Sequence, residues 1–392
     1  MCRCFHVNFI DLRSTLKALF DLMVFLEKKE EHRRPFSLGR VLVMALILRV
    51  AGIALTLQIA GVSLPEYLEI HDGRDYIAFA AAMDTATLRQ SRQWVNVRFP
   101  GFPLAVYFLG LILGKAWGLA ALLLNIGGAL AAIYLFDRIF HNRWATLWFS
   151  IFPPSWFLFS SLNATEGFFL FVNLWGISLI WNNKRPHLGC VILGISALVR
   201  PFAVFAIAAI LLGEFLQTRS WRIFLSAFLC SVPMLLWLGF CRIYYGAIFH
   251  NVNQYSDIWG NQVFDWPFRA LVFHSLKNPR ILKLCLVWGT VLFSLAAAFL
   301  ALRKWFHDKR SDTWFVLAFW QIFSCLFYFS LGSANPFTSI DRYILTALPA
   351  QIASLESLAP RRKIFFYIVA ILTLMIVVYW NRNHFVHLAA RT

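Results

Sequence analysis

The residue types best suited to acid–base chemistry gather in one short stretch, Glu69-Ile70-His71-Asp72-Gly73-Arg74-Asp75-Tyr76-Ile77. Asp72 and Asp75 are three residues apart, so in a helix they share a face and raise each other's proton affinity. A carboxylate tuned upward beside His71 is a candidate general base for a hydroxyl nucleophile. The competing reading is a solvated loop whose acids pair locally with Arg74. Of the 19 acidic residues, Glu66, Glu69, Asp72, Asp75 and Asp84 all fall in this region.

Three arginines could complete a site. Arg98 precedes Phe99-Pro100-Gly101-Phe102-Pro103, Arg200 precedes Pro201 between two apolar runs, and Arg342-Tyr343 follows Asp341. Arginine at a membrane boundary suits bidentate binding of a lipid phosphate or diphosphate; the alternative is snorkelling, with the stem in lipid and the guanidinium in water. Arg200 carries more weight, because a charge at an intramembrane helix break lines a cavity. Arg49, midway along the first apolar run, is similar but has no motif around it. Glu166 closes Asn163-Ala164-Thr165-Glu166, where it either caps the following helix or contacts substrate. Asn163-Ala164-Thr165 is also a glycosylation sequon, in too tight a turn to be a good acceptor. The candidate substrate-binding set is thus His71, Arg74, Tyr76, Arg98, Glu166, Arg200, Arg342 and Tyr343.

The elements that must position these residues are apolar. The 392 residues are 60% hydrophobic, 17% aromatic and 14% charged, against roughly 25% charged in soluble domains. That composition defines an all-α, polytopic membrane protein. Apolar runs near 41–60, 116–136, 145–160, 167–181, 188–200, 201–216, 222–242, 284–302, 313–331, 341–358 and 363–380 predict about 11 spans, several shorter than the roughly 20 residues a perpendicular helix needs. Residues 1–40 carry eight Lys or Arg and an apolar stripe from Phe9 to Met23, the pattern of an amphipathic helix on the cytoplasmic face. Five short inward loops hold thirteen Lys or Arg in 35 residues, whereas the outward segments hold eleven in 109. The bias predicts a cytoplasmic N-terminus and an outer C-terminus. The expected organisation is therefore a segment 1–40, one transmembrane domain 41–380 with outer loops 61–115 and 243–283, and an outer tail 381–392. Within 61–115, residues 99–114 read as a helix at or dipping into the outer face, with Pro100 and Pro103 marking an irregular entry.

The net charge of +17 thus reads as topology, and no basic run has the Gly and aromatic interleaving of a nucleic-acid patch. Walker, dinucleotide, Gly-x-Ser-x-Gly and His-Glu-x-x-His motifs are absent from the sequence, as are Cys/His metal spacings. The seven cysteines form no disulfide framework; Cys241 and Cys285 could approach at the outer face, although small buried hydrophobes are the commoner role. Tyr255, Asp257, Trp259, Gln262, Asp265, Trp266 and Arg269 in the loop 243–283 suit carbohydrate or headgroup contact, or interfacial anchoring.

Several segments together resemble one family. Phe152-Pro153-Pro154-Ser155-Trp156-Phe157-Leu158-Phe159-Ser160-Ser161-Leu162-Asn163-Ala164-Thr165-Glu166-Gly167 is similar to the "FP-S-FF-SA-Y-(S/T)-E-S" stretch of PIG-V-like mannosyltransferases. Gly194–Pro201 resembles the family's "G-L-A-A-L-T-R-P", Arg98–Leu104 its "FFPGFPL", His71–Tyr76 its first-loop "W-D-x-x-x-Y", and Arg342-Tyr343-Ile344-Leu345 with Pro349 its "RY-L-P". His71 stands where the family has Trp, and Asn163-Ala164-Thr165 where it has Tyr-Ser/Thr. The likeness covers roughly residues 66–350 in the same order.

This resemblance implies a GT-C-type glycosyltransferase that takes sugar from a polyprenyl-phosphate donor on the outer or luminal face, with inversion. It implies Asp72 as base, with Asp75 in reserve. The acceptor would be a hydroxyl of a lipid, glycan or protein. No particular cofactor is indicated, a divalent metal stays open, and nucleic acid is not an expected partner. A bacterial plasma membrane is the expected location ahead of the endoplasmic reticulum. The rival readings are a lipid-linked sugar translocator and a catalytically silent assembly partner.

Overall fold

The structure is a computed structural model that describes residues 37–91, 93–251, 253–254, 266–277, 281–308, 312–331, 342–355 and 363–389. The expected amphipathic helix over Phe9–Met23 and most of the aromatic loop residues, from Tyr255 to Asp265, lie outside them, as does Asp341.

Regular structure among the described residues is helical. The helices are α1 (Leu38–Ala60), α2 (Gly73–Asp84), α3 (Gly101–Ile112), α4 (Trp117–Phe140), α5 (Arg143–Ile151), α6 (Pro154–Phe159), α7 (Glu166–Trp181), α8 (Pro186–Val199), α9 (Ala203–Thr218), α10 (Arg222–Tyr245), α11 (Ile281–His307), α12 (Asp312–Phe329), α13 (Leu348–Ser354) and α14 (Lys363–Ala389). Short turns of helix, Leu64–Leu68 and Gln93–Asn96 among them, connect them.

Six helices, or the described parts of them, are long and apolar enough to cross a membrane: α1, α4, α10, the Val287–His307 part of α11, α12 and the Phe365–Arg382 part of α14. Five other apolar segments are shorter, including α3, α7, α8 and α9. The apolar runs of the sequence therefore do form helices, but proline cuts several short. The run over 145–160 divides into α5 and α6 at Phe152-Pro153, and Arg200-Pro201 separates α8 from α9, because proline removes a backbone donor and clashes with the preceding turn. At 12 residues, α3 rises only about 18 Å, too little for a bilayer core of about 30 Å. Residues 381–389, expected as a separate tail, continue α14.

Lipid-like apolarity around each helix leaves packing to close contact between small residues. A Cβ on Gly128 of α4 would lie 2.6 Å from the backbone of Phe168, and one on Gly167 would lie 2.2 Å from the carbonyl of Asn125. These contacts set α7 directly against α4. In turn, α8 packs on α7 and α10 on α8, while α12 packs with α11 and α9, and α14 packs against α1.

Arg49 of α1 is fully buried. Its Nε donates to Ser160 Oγ at 3.0 Å and its Nη1 to the carbonyls of Ala45 and Ser150 at 3.1 and 3.2 Å. The guanidinium also lies 5.3 Å from the Phe157 ring centroid. One side chain thus ties α1 to the C-terminal turn of α5, whose carbonyls have no helical partner, and to the far end of α6.

Candidate functional site

Between α6 and α7 the chain runs through Ser160–Thr165 without helix, yet every residue there is buried. Buried irregular backbone must find hydrogen bonds from other elements; two side chains supply them, and a third, from the segment itself, ties it to its neighbours. Asn125 Nδ2, from the middle of α4, donates to the carbonyls of Phe159 and Leu162 at 2.6 and 2.8 Å, while its Oδ1 accepts from Gly167 N at 2.7 Å. Tyr67 Oη donates to the Ser161 carbonyl at 2.9 Å. Asn163 Nδ2 donates to the Leu68 and Gly118 carbonyls at 2.8 and 3.1 Å. The sequon asparagine is therefore a buried brace rather than a glycan acceptor. The braced segment delivers Glu166 as the first residue of α7.

Glu166 meets two arginines. Arg200, just past the last turn of α8, reaches its Oε1 from Nη2 at 2.9 Å. Arg342 donates to the same oxygen from Nε. Arg342 also pairs, through Nη1, with Asp72 Oδ2. The other oxygen of Asp72 takes Arg98 Nη2 at 2.8 Å, and that same nitrogen reaches Asp75 Oδ2 at 2.5 Å. Among the described residues, three guanidiniums and three carboxylates thus form one continuous, charge-balanced chain: Arg200, Glu166, Arg342, Asp72, Arg98, Asp75.

Local structure explains each position. Asp72 is the N-cap of α2, but its side chain makes no cap hydrogen bond because both oxygens are engaged by guanidiniums. Arg98 sits in the turn before α3, and Asn251 Nδ2 holds that turn by donating to the carbonyls of Asn96 and Arg98 at 2.8 and 3.0 Å. Gly101 lets the turn close on α8: a Cβ there would lie 2.7 Å from the backbone of Leu198 and Val199, the two residues before Arg200. Aromatic rings wall the network. The Arg342 guanidinium lies 4.9 Å from the Phe159 centroid, and that of Arg98 lies 5.4 Å from Tyr76. Tyr76 stands edge-on to Phe102, and His71 edge-on to Phe159 at 5.9 Å.

Burial is graded along the network. The Glu166 side chain is 1% exposed, those of Arg200 and Arg342 are 10% and 14%, and those of Arg98, Asp72 and Asp75 lie near 20%. Burial opposes the ionisation of Asp72, but the Arg342 and Arg98 guanidiniums outweigh it and hold the carboxyl well below the usual carboxylate range. This overturns the expectation of a carboxylate tuned upward by its neighbour. Asp72 and Asp75 do face each other as their spacing predicts, but a guanidinium stands between them. Among the described residues, buried polar atoms beside the network without a hydrogen-bond partner include Arg200 Nη1, Arg98 Nε, Asn163 Oδ1 and Thr165 Oγ1.

Of the candidates named from sequence, Asp72, Asp75, Arg98, Glu166, Arg200 and Arg342 converge in the network, with His71 and Tyr76 against it. Arg74 does not join them. It is exposed, and among the described residues Asp72 and Asp75 pair with Arg98 and Arg342 instead of with Arg74. Tyr343 stacks on Tyr328 at 5.6 Å and meets Phe202 edge-on, which makes it part of an aromatic packing cluster. Sequence reasoning missed Asn125 and Phe159. An asparagine in the centre of an otherwise apolar run was a signal for the first; Phe159 lies within the Phe152–Gly167 stretch, but its residue type gave no signal of a contact with a guanidinium.

Among the described residues no three His, Cys, Asp or Glu form a metal-holding group. Each carboxylate of the network faces at least one guanidinium.

Fold and site together define a helical membrane-embedded protein with a buried, charge-balanced arginine–carboxylate network at one end of its helices. No family model, curated protein or solved structure matches the chain.

Proposed function

We propose that the protein is a membrane glycosyltransferase that transfers a sugar from a polyprenyl-phosphate donor to a hydroxyl acceptor on the outer or luminal face. The observation that carries this reading is the convergence of Asp72, Arg98, Glu166, Arg200 and Arg342, drawn from five separate stretches of chain. Those stretches are the ones whose motifs resemble PIG-V-like enzymes. In this reading Arg200 and Arg342 hold the donor phosphate, and Arg200 Nη1 has no hydrogen-bond partner among the described residues. Glu166 is a positioning residue that aligns both guanidiniums. Asp72 accepts the proton of the acceptor hydroxyl as that oxygen bonds to the anomeric carbon. The bond from that carbon to the phosphate oxygen breaks, and its electron pair leaves on the polyprenyl phosphate. Attack and departure lie on opposite faces of the sugar, which inverts the anomeric centre. The site lies where the charge bias puts the outer ends of the helices, with about 11 membrane-embedded segments, some too short to cross alone.

Purified protein reconstituted with polyprenyl-phosphate mannose and a prenyl or glycosyl hydroxyl acceptor tests the reading. Product is expected with the wild type, and Asp72→Asn should lower its rate by about 10²–10⁴-fold, the worth of a general base. Full activity in a folded Asp72→Asn protein would remove Asp72 from this role, and no transfer by the wild type from any polyprenyl-phosphate sugar would remove the function.

A further inference from the structure

Among the described residues the network is neutral, its three carboxylates each paired with a guanidinium, so an arriving anion must compete with those carboxylates. A phosphodiester entering beside three guanidiniums and three carboxylates adds a fourth negative charge to a partly buried cluster, which is costly unless a carboxylate yields its guanidinium to the newcomer and, no longer held between two cations, takes up a proton. The geometry says which one. Arg342 is anchored by Nε to Glu166, whose side chain is 1% exposed. Its Nη1 holds Asp72, 19% exposed, at the more open side of the network. The Glu166 contact is backed by Arg200 and by the braced entry to α7. The Asp72 contact is the one within reach of an arriving group.

We infer that the Arg342–Asp72 ion pair is an internal stand-in for the donor, and that a lipid-linked phosphodiester displaces Asp72 from Arg342 as it binds. This rests on the reading of the cluster as a donor-phosphate site and adds an order to it. In the resting protein Asp72 lies between Arg98 and Arg342 and cannot serve as a base. Once Arg342 turns to the phosphodiester, Asp72 and Asp75 share the single guanidinium of Arg98, whose one Nη2 already bridges them. Two carboxylates on one cation bind a proton more readily than one carboxylate between two cations. The groups facing Asp72 are then Arg98, Asp75, His71 and Tyr76, with the phosphodiester on the far side of Arg342. Donor binding thus switches on the base, and acceptor hydroxyls are not deprotonated at an empty site.

The full chain in detergent, titrated with the methyl diester of farnesyl phosphate and in parallel with dimethyl phosphate, tests this. Asp72→Asn removes the internal competitor and is expected to bind the farnesyl diester about tenfold more tightly than the wild type, within the usual range of such couplings. Arg342→Gln is expected to abolish binding. In the unaltered protein, Asp72 labelling by a water-soluble carbodiimide, which attacks protonated carboxyls, should rise at about pH 6 when the diester is added. This arm decides the matter even where Asp72→Asn fails to fold. Equal or weaker binding by a folded Asp72→Asn protein, or labelling that stays level or falls, overturns the exchange. The same effects with dimethyl phosphate support the exchange with a free phosphodiester as the ligand. Sugar transfer without enhanced binding or labelling leaves the enzyme reading intact and removes the exchange; enhanced binding and labelling without transfer does the reverse.

Discussion

Glu166 shows how much one residue can carry. It is almost wholly buried and faces two arginines at once, so removing its charge strands Arg200 and leaves Arg342 with Asp72 alone. Glu166→Gln is expected to cost about 3–5 kcal/mol, the usual penalty for breaking a buried pair. Thermal unfolding in detergent reads this, and a Glu166→Gln/Arg200→Gln double variant should recover part of the loss; strict additivity would mean the two do not interact. Asp72 makes a different prediction. Its folded carboxyl is held below its unfolded value of about 3.9, so its pairing stabilises the protein above that pH and the contribution fades as pH falls below it. The difference in melting temperature between wild type and Asp72→Asn should therefore be level from about pH 8 to 5 and shrink below about pH 4. A difference that closes between about pH 7 and 6 would show the carboxyl titrating high.

At the scale of elements, the site depends on one buried non-helical segment and one close helix crossing. Asn125 satisfies three backbone groups of the segment around Ser160–Thr165. An isosteric but apolar Asn125→Leu leaves those groups buried without partners, at about 1–3 kcal/mol each where no substitute is found. A melting temperature lowered by several degrees, together with lost transfer, is the expected outcome; an unchanged protein would mean the segment braces itself. Gly101 sets the approach of the Arg98 turn to α8. The atoms a Cβ would meet there are backbone and cannot rotate away, so Gly101→Val should cost about 1–3 kcal/mol as overpacking. It should also weaken Arg98-dependent functions more than a substitution at Gly127, where a Cβ meets nothing within 4 Å.

At the scale of the whole molecule, composition and topology carry the argument. The fourfold excess of Lys and Arg in the short inward loops predicts which helix ends face the cytoplasm. In a cysteine-free background, Arg74→Cys is expected to react with an impermeant thiol reagent from outside intact cells and Lys184→Cys only after permeabilisation. Both residues are exposed, and Arg74 lies outside the ion network. The reverse pattern would invert the orientation and put the network on the cytoplasmic side.

The sequence alone determined that the chain is a helical membrane protein, where its apolar segments run, and which residue types could do chemistry. Hydrophobicity, proline breaks and charge are properties of each residue and its near neighbours, so they are visible without a fold. It also marked Asp72, Asp75, Arg98, Glu166, Arg200 and Arg342, since charges near apolar segments are few. What it did not contain was their pairing. Partners are separated by 23 to 270 residues, and Arg74, beside Asp75 in sequence, is exposed while Arg342, from the far end of the chain, closes the network. Only the tertiary structure decided that Asp72 sits between two cations instead of beside one acid, because the local field at a carboxylate is set by which helices pack against it and not by the residues next to it in the chain.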